Sequence, residues 1–196
     1  MSSQTKFKVA VRVRPMLPHE HSTCVNCVNF NSTTITCHDP FDLKHQRAGR
    51  QMDVIHRSKE SKFAFDFVFS TEPVERIFRL CAKDIVEDSI NGYKGCVFAY
   101  GATGSGKTYT MMGNAANGIK GMNERCLEEI FELVKADQDY DYKITASFVE
   151  IYNEYIIDLL KPKNKDYLEL WDDPVQGTIV AGVKELEVTN ISSVIM

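Results

Sequence analysis

A chain of 196 residues, 43% hydrophobic and 26% charged, is long enough to close one domain around a core and has the composition of a globular protein. Its formal net charge of −4 gives no reason to expect nucleic acid or membrane as a whole-surface partner, so any polyanion site must be local. No run of about 18 apolar residues occurs, and residues 1–6 lead straight into a strand pattern without a signal-peptide core, which predicts an intracellular protein with reduced cysteines.

Residues 6–14 alternate, with Phe7, Val9, Val11 and Val13 on one face and Lys6, Lys8, Arg12 and Arg14 on the other, and Pro15 ends the predicted strand. Residues 16–37 read as short strand and turn. Cys24 and Cys27, with Cys37, His38, His19 and His21, permit a zinc site on paper. Residues 33–37 read as a strand, where neighbours 37 and 38 point to opposite faces, and this argues against zinc. Residues 39–62 carry Lys44, Arg47, Arg50, Arg57, Lys59 and Lys62 without periodicity; they predict a basic surface loop, either merely solvated or docking on an acidic partner. Phe63, Phe65, Phe67 and Phe69 predict one strand with an apolar face. Ser70 or Thr71 then caps a helix with Glu72 and Pro73 in its first turn, an apolar stripe of Val74, Ile77, Phe78, Cys81 and Ile85, and an end at Asn91-Gly92.

The apolar run Cys96-Val97-Phe98-Ala99-Tyr100 predicts a strand, and it leads into Gly101-Ala102-Thr103-Gly104-Ser105-Gly106-Lys107-Thr108. These eight residues fit Gly-x-x-x-x-Gly-Lys-Ser/Thr at every fixed position, and a helix can start at their end. Holding a polyphosphate requires these residue types. Glycine lets the backbone come close with its N–H groups inward, Lys107 answers the β- and γ-phosphates, and Thr108 offers a hydroxyl to Mg²⁺.

The helix from Thr108 breaks at Met111-Met112-Gly113, and residues 114–121 predict a surface loop near the nucleotide. Asn123 is placed to cap a helix whose face is Leu127, Ile130, Phe131 and Val134. Residues 143–152 predict one long strand. Ile156-Ile157-Asp158 is rejected as a strand ending in a magnesium-linked carboxylate, because Asn153-Glu154 interrupts the run. Strands follow over residues 167–171, 178–183 and 184–188, and a helix begins near Asn190.

Arg12-Val13-Arg14-Pro15, Phe98-Ala99-Tyr100-Gly101, Lys107-Thr108-Tyr109-Thr110-Met111 and Glu150-Ile151-Tyr152-Asn153-Glu154 with Asp158-Leu159-Leu160 together resemble the kinesin motor domain, in that family's order. The resemblance implies an α/β fold of the P-loop NTPase type, a mixed central sheet flanked by helices, with residues 1–196 as its N-terminal portion and the fold C-terminally incomplete. It implies a microtubule-stimulated ATPase using ATP and Mg, partnered by microtubules, located in the cytoplasm on the cytoskeleton, and dimerising through regions outside this chain. It places Arg12, Arg14 and Pro15 along the adenine with Tyr109 packed beside it. Gly101, Ala102, Thr103, Gly104, Ser105, Gly106, Lys107 and Thr108 surround the phosphates, with Lys107 and Thr108 in catalytic roles. Ala102 and the 39–62 insertion look like the kinesin-8 group, which moves on microtubules and shortens them.

The family's Asn-x-x-Ser-Ser-Arg-Ser and Asp-Leu-Ala-Gly segments, which sense the γ-phosphate, do not occur in this sequence. Impaired hydrolysis is therefore expected, with residues 96–100 unpaired beside exposed apolar surface. The alternative is a non-catalytic nucleotide- or tubulin-binding module. In the last hairpin Trp171 stands where the family commonly has a basic residue, beside Glu169, Asp172 and Asp173, so weak microtubule affinity is expected.

Overall fold

The computed structural model describes residues 7–17, 20, 28–38, 60–161, 167–175, 177–191 and 194. The chain divides into two compact units, Met1–Cys126 and Leu127–Met196.

In the first unit, alternation produces strands, but shorter ones than the pattern predicts. Strand β1 is Ala10–Arg12 rather than residues 6–14, and it runs parallel to β5 (Phe67–Phe69) with Val11 opposite Val68. β2 (Val28–Phe30), β3 (Thr34–Cys37) and β4 (Ser61–Ala64) form a separate antiparallel sheet. The β2–β3 turn is set by Asn31, whose side-chain oxygen accepts the N–H groups of Thr33 (2.9 Å) and Thr34 (2.7 Å). The single strand expected across Phe63 to Phe69 is thus two strands in different sheets. Between them the Asp66 carboxylate accepts the Val9 N–H (2.8 Å), which turns the chain toward β1. Phe63 is left 51% exposed while Phe69 is buried. Ser61 and Lys62, expected in the basic loop, belong to β4; residues 39–59 lie outside the described residues.

The single helix expected to end at Asn91-Gly92 is also two, α1 (Val74–Cys81) and α2 (Lys83–Ile90), which meet at Ala82 with φ −121° and ψ −25°. Neither Ser70 nor Thr71 caps α1. Pro73 takes the N-cap position, and Glu72 turns back to accept the Ser70 N–H (2.5 Å), which holds its carboxyl below the usual range. The predicted stripe is buried only along α1, since Cys81 and Ile85 are half-buried and the buried positions past the break are Ala82 and Val86. Val74, Ile77 and Phe78, joined by Ala82 and Val86, are buried together with Val68, Phe69 and Ile35 as the core of this unit. At about 1.5–3 kcal/mol for each large side chain removed from water, these residues outweigh any single polar contact in the unit. Lys8 ties the approach to β1 onto both helices, donating to the Asp84 carboxylate (2.7 and 2.8 Å) and to the Leu80 carbonyl (3.1 Å).

Residues 96–100, read as a strand but expected to be left unpaired, have no ladder partner among the described residues, and extended backbone becomes a strand only by pairing. Phe98 and Tyr100 are 71% and 95% exposed. A mainly apolar cavity of about 580 Å³, walled in part by Phe7, Val11, Phe69, Ile85 and Val97, is bounded by this segment and β1. The single mixed sheet is accordingly not assembled among the described residues, where one three-stranded and five two-stranded ladders take its place. Helix α3 (Lys107–Met112) runs into a hairpin of β6 (Gly113–Asn114) and β7 (Ile119–Lys120), closed by a 3₁₀ turn at Ala115–Asn117, where a loop was expected.

Helix α4 (Met122–Ala136) contains the boundary between the units. It starts ahead of Asn123, the expected cap, with Met122 buried. In the second unit the long strand expected over 143–152 splits because its halves find different partners. β8 (Thr145–Ala146) pairs with β13 (Leu186–Glu187), and β9 (Val149–Tyr152) pairs with β10 (Tyr155–Asp158). Asn153 and Glu154, with φ 47° and 68°, form the two-residue turn between β9 and β10. The pair read as an interruption is therefore the hairpin turn, and the rejected segment 156–158 is strand after all. β11 (Glu169–Asp173) and β12 (Gly177–Ala181) make a second hairpin, shifted from the expected 167–171 and 178–183. Of the helix expected near Asn190, the described residues retain one turn-like bond, from the Val194 N–H to the Ile191 carbonyl (3.0 Å). No helix among the described residues is long and apolar enough to cross a membrane.

Candidate phosphate-binding site

The loop from Gly101 to Thr108 closes on itself through its own carbonyls. The Ser105 N–H donates to the Ala102 carbonyl (3.1 Å), and Lys107 Nζ donates to the carbonyls of Gly101 (2.9 Å) and Ala102 (3.0 Å). Gly106 is the N-cap of α3 with φ 96°, a left-handed conformation that disfavours any residue with a Cβ. A Cβ built there would lie 3.8 Å from Arg12 Nη1 and 3.8 Å from Arg14 Cδ, so both arginines, expected along the adenine, pack against the end of the loop. At Gly101 a Cβ would meet Ser105 Oγ at 2.6 Å. Ala102, Thr103 and Gly104 form the exposed rim. Helix α3 has only six residues, so its macrodipole is weak, and the loop N–H groups and the Lys107 charge must carry most of the attraction for an anion.

Thr108 is exposed, and its side chain makes no hydrogen bond among the described residues, which leaves the hydroxyl open to a hydrated cation. None of the described carboxylates is bonded to Lys107. An ammonium, an open hydroxyl and a glycine-shaped backbone fit a magnesium-bound polyphosphate.

Beside the loop, the Arg12 guanidinium lies over the Tyr109 ring, 4.8 Å from its centroid, and Arg12 Nη1 donates to Thr110 Oγ1 (3.1 Å). Arg14, expected along the same ligand, is already engaged. Its two terminal nitrogens donate to the two oxygens of Glu20, and Nη1 also donates to the Pro15 carbonyl (3.0 Å). The Glu20 bond raises the Arg14 pKa still further and fixes the direction of its charge. Pro15 is exposed at the edge of this group.

The sequence reading missed Glu20 and Thr110. Thr110 stands four residues beyond Gly106 on α3, where a threonine hydroxyl commonly bonds back to the i−4 carbonyl, so that part was readable. Glu20 carries no signal beyond its sign. Asp158, weighed as a magnesium-linked carboxylate, is 4% exposed and accepts the N–H groups of Leu160 (2.9 Å) and Lys184 (2.9 Å), with Lys161 Nζ 3.7 Å away. Burial alone would push its pKa up, but these donors outweigh it and hold the group ionised as a strand-end anchor. Of the paper zinc set, Cys37 lies in β3 and the His38 ring pairs with the Asn29 side chain (3.0 Å); His19, His21, Cys24 and Cys27 lie outside the described residues.

Residues 12–196 match the kinesin motor domain family. The chain is 37% identical over 185 residues to the kinesin-like protein KIN-8B of Arabidopsis thaliana, covering 94% of this chain and 22% of that protein. It is 34% identical over 199 residues to KIF27 of Mus musculus (96% and 13%) and 34% identical over 197 residues to KIF1B of Rattus norvegicus (98% and 10%). The chain thus spans between 10% and 22% of the length of these relatives. With the phosphate-loop sequence, the arginine strand beside it and nearly the whole chain matched, the protein belongs to the kinesin family, and residues 12–196 are motor-domain sequence.

Proposed function

We propose that this chain is the ATP-binding part of a microtubule-based kinesin motor that couples ATP hydrolysis to movement along, or remodelling of, microtubules in the cytoplasm. The observation that carries the reading is the left-handed Gly106, which sets Lys107 and Thr108 at one end of the loop with Arg12, stacked on Tyr109, packed against the same glycine. On binding, Lys107 exchanges two loop carbonyls for phosphate oxygens. Thr108 contributes a hydroxyl to magnesium, which supplies charge neutralisation on the polyphosphate. The Arg12–Tyr109 pair presents a cationic, aromatic surface to the adenine, and Arg14, held by Glu20, borders it as a fixed charge. Ala102 and the basic 39–62 segment support placement near the kinesin-8 group, in line with KIN-8B among the relatives; KIN-14N of Oryza sativa is also 37% identical, over a shorter 157 residues.

Titration with a fluorescent ATP analogue and Mg²⁺ tests the site. Replacing Lys107→Ala removes a charge-assisted bond worth about 1.5–3 kcal/mol, so binding should weaken roughly ten- to a hundredfold. Unchanged affinity would sink the reading. Because the two γ-phosphate-sensing segments do not occur in these 196 residues, the chain should bind nucleotide while showing negligible turnover. Microtubule-stimulated phosphate release above background would overturn that expectation.

One observation favours a second reading, a nucleotide-binding module without motor activity. The β11–β12 hairpin presents Trp171, 60% exposed, next to Glu169 and Asp172, a surface ill suited to an acidic filament.

A further inference from the structure

We propose that Thr110 is a positioning residue that couples the base-stacking arginine to the phosphate loop. The inference rests on the nucleotide reading above and adds to it a link between the two ends of the ligand site. The Thr110 hydroxyl donates to the Gly106 carbonyl (3.0 Å) and accepts from Arg12 Nη1 (3.1 Å). A hydroxyl has one proton and two lone pairs, so the two bonds form together, and the proton committed to Gly106 turns a lone pair toward the guanidinium.

The two groups joined this way are unusual in their dependence on the link. Gly106 closes the loop in a left-handed conformation, so the direction of its carbonyl follows the loop backbone. Arg12 makes no ion pair among the described residues, whereas Arg14 is held by Glu20 and Lys8 by Asp84. The Tyr109 ring beneath Arg12 fixes the height of the guanidinium but not its rotation in its own plane. Arg12 Nε is buried without a partner. Among the described residues Thr110 is the one hydrogen-bond acceptor that sets that rotation, and it belongs to the first turns of the helix that leaves the phosphate loop. A change in the loop on taking up phosphates therefore reaches the adenine side through this hydroxyl.

The test compares Thr110→Val, which keeps shape and loses the hydroxyl, with Thr110→Ser, which keeps the hydroxyl, in the 196-residue chain. Two probes are titrated by calorimetry, MgATP and magnesium tripolyphosphate, the second having phosphates and no base. Thr110→Val should weaken MgATP about three- to tenfold, as for one lost hydrogen bond. Tripolyphosphate should bind unchanged, and Thr110→Ser should restore MgATP to within about twofold of wild type. Equal loss on both probes would mean that the hydroxyl only supports the loop, and would overturn the proposal. So would an unchanged MgATP affinity in Thr110→Val, or a serine variant as weak as the valine one. A wild-type chain that binds neither probe would remove the nucleotide reading itself, and the proposal with it.

Discussion

The Asp84 carboxylate takes both of its short contacts from the Lys8 ammonium, and this bond, more than the burial that opposes it, holds its pKa below the usual aspartate value. In the unfolded chain Asp84 should titrate near about 3.9. Between that value and the lower folded one, the unfolded state binds more protons, so the contribution is complete above about pH 4 and is lost as pH falls through the folded pKa. Both side chains remain partly exposed, so solvent screening limits the pair to about 1 kcal/mol. Urea unfolding of wild type and Asp84→Asn at pH 7 and pH 3 checks this. The variant should be less stable at pH 7, with a smaller deficit at pH 3; a deficit that persists undiminished at pH 3 would show that the carboxylate's charge is not what matters. The residue scale also sets what was legible in the site. The phosphate loop could be read because all its chemistry lies within eight consecutive residues. The bond from Arg12 to Thr110 spans 98 positions and has no spacing to betray it.

At the scale of elements, the sequence period told which residues share a face but not where each strand ends, because strand length is decided by partners. Phe63 to Phe69 alternates without a break, yet its two ends join different sheets, and residues 143–152 divide for the same reason. The α1 part of the stripe was legible because packing follows the helical period, but the break at Ala82 moves the buried positions by one, to Ala82 and Val86 in place of Cys81 and Ile85. The turn at Asn153-Glu154 was not, since Asn and Glu read as polar interruption until a pairing shows both in left-handed conformation. The β6–β7 hairpin offers an element-scale test. A Cβ on Gly113, where φ is 79°, would lie 2.1 Å from the Ile119 carbonyl oxygen and 2.5 Å from the Gly121 nitrogen, both backbone atoms that cannot step aside. At Gly106 the nearest atoms are 3.8 Å away, so an added methyl meets only the strain of the left-handed backbone. Gly106→Ala should cost about 1–2 kcal/mol, and Gly113→Ala more than about 3 kcal/mol or the folded state altogether. Equal losses in denaturant unfolding would show that the hairpin backbone yields where this geometry says it cannot.

At the scale of the whole molecule, a net charge of −4 meets a proposed partner that is itself acidic, so the placement of charge matters more than its sum. On β11, Glu169 faces solvent, and among the described residues its side chain reaches only the Trp171 indole N–H (3.3 Å), whereas Asp172 accepts the Thr178 hydroxyl across the hairpin (2.9 Å). Glu169 can therefore be reversed in charge with the pairing left intact. If the hairpin meets the filament, Glu169→Lys replaces a repulsion by an attraction within a Debye length of about 8 Å, and affinity should rise roughly three- to tenfold at low salt. The gain should shrink as salt is added. Glu132→Lys, on the exposed side of α4, changes the net charge by the same amount at a different place. Co-sedimentation with microtubules at two ionic strengths separates the cases. A gain confined to Glu169→Lys places the hairpin at the filament, equal gains from both variants reduce the effect to net charge, and no gain from either removes the hairpin from the interface.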